Sequence, residues 1–200
     1  MKYLVTLLLL GLLAVIGVIG AGWYNVSADS PHWKATYALL QFARERSVAH
    51  HASDLSVPTN LGDEAVILKG AGQYAAMCTG CHLQPGMTDS EIRPGLYPQP
   101  PNLSQLRVDP REAFWVIKHG IKMSAMPAWG SSHDDATIWS MVAFLQKLPG
   151  LTPAEYKAIV AKAPPDDDMQ PAHGDQADPS AMHDMSMPAA SASAAAATGH

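Results

Sequence analysis

The chain has two cysteines, and both fall in one five-residue run, Cys78-Thr79-Gly80-Cys81-His82. No other feature narrows the possible folds as far. A disulfide between them would close too short a loop to brace a 200-residue chain. A redox pair of thioredoxin type needs a preceding strand and a βαβ context, whereas the residues before Cys78 read as a helix running into a loop. A structural zinc site needs four ligands, and there is no second cysteine pair to supply them.

The order Cys-x-x-Cys-His is the attachment pattern of a c-type haem. Each thiol adds to one vinyl group of the porphyrin, and the adjacent histidine then lies beneath the iron as its proximal ligand. Cys78 and Cys81 are accordingly the expected thioether attachments and His82 the expected axial ligand.

The surrounding sequence is helical. Val66, Gly70, Tyr74 and Met77 share one face of a helix over residues 63–77. A glycine on that buried face predicts close approach by another helix. The expected partner is residues 134–148, where Ile138, Met141, Val142, Leu145 and Leu148 form a second apolar face. Asp109-Pro110-Arg111-Glu112 reads as a helix start that Gly120 closes after His119, and Thr152-Pro153-Ala154-Glu155 starts a last helix through about Ala163. Nothing in the middle region alternates with the two-residue period of a strand, so the fold class is all-α. The irregular residues 85–104 are long for a compact domain. A haem supplies the apolar surface on which Leu96, Tyr97, Leu103 and Leu106 can pack.

The chain opens on an uncharged apolar run from Tyr3 to Tyr24, long enough as a helix to cross a bilayer. Lys2 precedes it and Asp29 follows, so the positive-inside rule puts the start in the cytoplasm and the remainder outside. Cleavage near Val26-Ser27-Ala28 is the alternative to a retained anchor; the length of the run favours the anchor. Charge divides the chain as well. The whole carries −5, and residues 164–200 hold six Asp with no Lys or Arg; removing those six negative charges leaves +1 for residues 1–163. The local excess of three positive charges over residues 92–130 is far from a nucleic-acid binder's basicity.

Taken together, C-T-G-C-H, the Gly- and Tyr-bearing helix before it, the P-P-N-L loop, M-P-A-W and the closing aromatic-aliphatic helix resemble a class I cytochrome c domain. They are similar to the single-haem domains attached to bacterial respiratory complexes. The resemblance covers residues 60–150 and implies a small helical bundle around one covalent haem c, single-electron transfer and no enzymatic activity of its own. It also implies Met126, from M-P-A-W, as the distal ligand. Met123 is the rival thioether; it lies three residues past the helix end at Gly120, whereas Pro127 stiffens the backbone after Met126. His119 and His133 are further rivals. A filled sixth position keeps small molecules off the iron, and Lys118 and Lys122 beside the distal loop would steer an acidic partner.

The expected organisation is a membrane anchor over 1–28, a helical linker over 29–59, the haem domain over 60–163 and a tail over 164–200. The linker helix is expected to start at Ser30-Pro31 and reach Ala52, ending on His50 and His51. The tail is too poor in large apolar residues to fold alone. Its Met169, His173, Met182, His183, Met185, Met187 and His200 suit copper, cuprous copper in particular. The expected role is that of an inner-membrane, single-pass cytochrome with its haem domain in the periplasm. It would pass electrons between a respiratory or dehydrogenase complex and an acceptor such as an oxidase or cupredoxin. The alternatives are the haem subunit of a membrane oxidoreductase and a copper-handling cytochrome.

Overall fold

The computed structural model describes residues 1–165. The Met/His-rich tail, with the copper ligands expected there, lies outside the described residues. Among those described there is no strand, and the fold is all-α.

Helix α1 (Lys2–Gly20) buries none of its residues and is long and apolar enough to cross a membrane. Helix α2 (Lys34–Ala52) starts later than its Ser30-Pro31 signal predicts. The reason is tertiary: the His32 N–H donates to Tyr97 Oη, which holds Pro31 and His32 in an extended linker. The second half of α2 packs on α5 (Pro110–His119) through Val48 and Ala52.

The centre of the domain is the crossing of α3 (Glu64–Met77) and α6 (Asp135–Lys147). Eight residues of α6, from Thr137 to Leu145, are buried, so this helix is covered almost all round and acts as the spine. Gly70 makes the crossing possible. A Cβ built there would stand 1.8 Å from the Ser140 carbonyl oxygen, so the backbones meet where any side chain would intervene. Tyr74 and Phe144 continue the contact one turn on, with ring centroids 5.5 Å apart. On the other side of α6, Phe114 of α5 stacks on Trp139 at 4.2 Å.

The later helix starts carry side-chain caps. Asp109 accepts from the N–H groups of Arg111 and Glu112, and Asp134 from that of Thr137. Helix α7 (Pro153–Val160) carries a complete capping box between Thr152 and Glu155. It ends three residues before the expected Ala163. Lys162 and Ala163 bond instead to the carbonyls three residues back, tightening the last turn.

Candidate haem site

The site is built where α3 runs out. Cys78 closes α3, and Thr79–His82 form one further helical turn, α4, with the His82 N–H bonded to the Cys78 carbonyl at 2.8 Å. Residues 78, 81 and 82 are therefore related as i, i+3 and i+4, a spacing that shares one face of a helical turn. Leu83 stops the turn with φ at 62°, a left-handed conformation held by burial of its side chain and by Tyr74, whose hydroxyl donates to the Leu83 carbonyl at 2.5 Å.

His82 is fixed at both ends. Its Nδ1 lies 2.9 Å from the Pro101 carbonyl oxygen, and its own carbonyl accepts from the Leu103 N–H at 3.1 Å. A carbonyl only accepts, so the proton sits on Nδ1 and the Nε2 lone pair is left bare. Burial holds the ring below the usual histidine range; the Pro101 bond opposes this, and the nearby Arg93 charge adds to it. The result is a neutral, oriented imidazole, which is the form that binds iron.

The irregular residues 83–104 are tied down through their backbone. Ser90 Oγ donates to the Gly80 carbonyl at 2.5 Å, and Arg93 donates through Nε and Nη2 to the Pro100 carbonyl at 3.3 and 3.0 Å. Arg93 also meets Asp89 at 3.5 Å. These ties were not readable from the sequence, because a backbone carbonyl has no residue signature. Leu103 packs against the core, and Leu106 is exposed.

Both cysteines are free thiols. Burial, with Cys81 close by, pushes the Cys78 thiol up to about 12. A dithiol redox motif needs the opposite, a depressed attacking thiol. Among the described residues no group of three or more His, Cys, Asp or Glu could hold a metal ion, which also speaks against a zinc site there.

Across the domain, the segment after α5 forms a tight loop. Gly120 adopts φ of 65°, and a Cβ there would meet the Met126 carbonyl oxygen at 2.7 Å. The Ile121 N–H donates back to that same carbonyl at 3.1 Å, and Ser124 Oγ accepts from the Met126 N–H at 3.2 Å. The two methionines are sorted by this loop. Met123 sits at its tip with φ of 55° and a wholly exposed side chain, whereas Met126 is partly buried and packs against the core. His119 is exposed with its ring against Trp115, and His133 bonds to Ser132 Oγ beside Trp129.

The two lysines differ as well. Lys118 Nζ lies 2.6 and 2.9 Å from the two Asp135 carboxylate oxygens, so its charge is largely neutralised locally. Lys122 is exposed on the distal loop. Of the two linker histidines, His51 stacks on Trp115 at 5.6 Å, joining α2 to α5.

An all-helical fold carrying Cys-x-x-Cys-His between its two crossing helices defines a c-type cytochrome domain. Residues 65–145 match the family model described as cytochrome c oxidase, cbb3-type, subunit III. That segment is a monohaem class I c-type cytochrome domain, of a family that carries haem c covalently and transfers electrons. No curated protein and no solved structure matches the chain. The residues fit the group: two free thiols and an imidazole with a bare nitrogen occur on one turn, beside apolar loop residues.

Proposed function

We propose that the chain is a membrane-anchored electron carrier, with Cys78 and Cys81 as the thioether attachments, His82 as the proximal ligand and Met126 as the distal ligand. The observation that carries the assignment is the bond from His82 Nδ1 to the Pro101 carbonyl, which leaves Nε2 available on the turn that bears both thiols. The haem supplies the ferric/ferrous couple. The chain's own residues orient the imidazole, add a soft thioether that favours ferrous iron, and leave no open position for a small ligand. Catalysis at the iron is therefore not expected.

In this reading residues 1–28 anchor the chain, 29–59 link, 60–163 hold the haem and 164–200 form the tail. Helix α1 has 19 residues, about 28 Å at the usual rise, close to a hydrocarbon core. Lys2 at its first position favours a cytoplasmic start, with the haem domain in the periplasm. Electrons would pass between a respiratory or dehydrogenase complex and an acceptor such as an oxidase or cupredoxin. A second reading, the haem subunit of a membrane oxidoreductase, draws on the oxidase subunit named in the family description. Copurification with a larger complex distinguishes the two.

The test is the oxidised spectrum of the full-length holoprotein beside Met126→Ala and Met123→Ala. The weak far-red band of ferric iron bonded to thioether sulfur is expected in the parent and Met123→Ala and is lost in Met126→Ala. A parent that lacks the band and readily binds carbon monoxide has an open site, and the carrier reading fails.

A further inference from the structure

The first half of α2 is an unpartnered apolar surface. Trp33, Leu39, Leu40 and Phe42 are 67, 67, 53 and 63% exposed. They lie outside α1, in a segment whose residues 35–43 carry no charge. The helix is divided along its length as well as around it. Leu39 lies on the side turned away from buried Val48 and Ala52, with Phe42 on the flank; two turns beyond Leu39 the same side carries Arg46, then His50. A helix apolar outward over its first half and polar over its second passes from an apolar medium into water.

The position of Trp33 says which medium that is. It shares a cleft with Ala14, Val15, Val18, Ile19 and Tyr24. Val15 lies five residues before the end of α1, about 7.5 Å along the helix axis. The chain leaves α1 at Gly20, reverses through the linker and returns beside the last turns of the apolar helix. Tyr24 holds it there, with its ring edge-on to Trp33 at 5.4 Å and its hydroxyl 2.6 Å from His32 Nδ1. Trp23, Tyr24, Trp33 and Tyr37 are the residue types that settle at a lipid–water boundary. Arg44 and Arg46 follow where anionic headgroups would stand.

We propose that Trp33 to Phe42 form a second membrane contact, lying in the boundary between headgroups and acyl chains of the leaflet from which α1 emerges. This rests on the reading of α1 as a retained anchor. The aromatic group continues into the haem domain, since Tyr97 meets both His32 and Tyr37, with ring centroids at 5.2 and 6.0 Å. The contact therefore sets the orientation of the haem domain to the membrane as well as its attachment.

The test uses full-length holoprotein, one copy per nanodisc of phosphatidylcholine and phosphatidylglycerol, spin-labelled at Leu39→Cys, Phe42→Cys, Glu45→Cys or Leu8→Cys in turn. Cys78 and Cys81 are taken up by the haem, so each label is unique. Collision with oxygen is compared with collision with a water-soluble nickel chelate. The oxygen-to-nickel ratio at positions 39 and 42 is expected to be severalfold above that at 45 and below that at 8. A lipid-like ratio at 8 with water-like ratios at 39 and 42 overturns the contact and leaves the anchor standing. A water-like ratio at 8 overturns the anchor reading, and the contact with it. Labels at 39 and 42 shielded from both reagents are covered by protein, which also overturns the lipid contact.

Discussion

Gly70 and Ser140 bring the α3 and α6 backbones together: a Cβ at position 70 would stand 1.8 Å from the Ser140 carbonyl oxygen and 2.4 Å from its carbon. On an isolated helix, Gly→Ala stabilises by about 0.5–1 kcal/mol. Here the clash is with backbone, which no rotamer change relieves. Gly70→Ala is expected to destabilise the holoprotein by about 3 kcal/mol or more, at the upper end of overpacking costs. Gly62→Ala, where nothing lies within 4 Å, is the control. Equal denaturant midpoints for the two variants would refute the close crossing.

Tyr74 links the core to the Cys78–His82 turn by donating to the Leu83 and His82 carbonyls at 2.5 and 3.3 Å. Tyr74→Phe is expected to cost about 1–2 kcal/mol near neutral pH. Burial, with Tyr156 adding to it, holds the Tyr74 hydroxyl protonated well above the usual tyrosine range. Burial also pushes Tyr156 up to about 12. The unfolded chain sheds these protons above about pH 10 and the folded chain keeps them. Stability is therefore complete below that pH and falls as pH rises through it. Tyr74→Phe should show a shallower alkaline decline in urea midpoint than the parent; parallel declines would remove Tyr74 from the account.

Asp134 caps α6, and its bonds to the Thr137 backbone and hydroxyl hold its carboxyl below the usual range. Asp134→Ala is expected to cost about 1 kcal/mol, and Asp134→Asn much less. With a depressed folded pKa, the charged cap's contribution is present above the ordinary carboxyl value and is lost as pH falls through the folded one. The parent's advantage over Asp134→Asn should therefore shrink on acidification, as read from thermal midpoints across that range. An advantage that grows on acidification would contradict the assignment.

Arg93 places a cation near His82 and braces the Pro100 carbonyl beside the Pro101 acceptor. Positive charge near the iron favours the reduced form. Arg93→Gln should lower the midpoint potential by tens of millivolts, moderated by the Asp89 carboxylate already 3.5 Å from the guanidinium. Redox titration checks this, and an unchanged or higher potential would sink it.

The helices were legible where local chemistry agreed with tertiary need. Asp109 and Thr152 cap as their positions predict, and Gly70 announces the crossing because a glycine on a buried helical face has few other uses. The start of α2 was misplaced because Ser30-Pro31 is a valid local signal overridden by a contact with Tyr97, 65 residues away from His32. Spacing singles out the thiols and His82 as candidates, but what orients the imidazole is a main-chain oxygen, invisible in any motif. Met123 and Met126 are chemically identical, and only the turn imposed by Gly120 separates an exposed thioether from an inward one. Lys118 looked like a free surface charge because its partner, Asp135, begins a different helix.

The linker between α1 and α2 is closed on itself by Tyr24 and His32 and tied through His32 to Tyr97 rather than left as a loose leash. With α1 in the bilayer, the haem domain would have almost no radius to sweep. Encounters would then depend on lateral diffusion within the sheet, and transfer rates on the number of partners per unit area. With a partner held in the same membrane, diluting the protein with lipid would slow the reaction, whereas diluting the suspension with buffer would leave it unchanged.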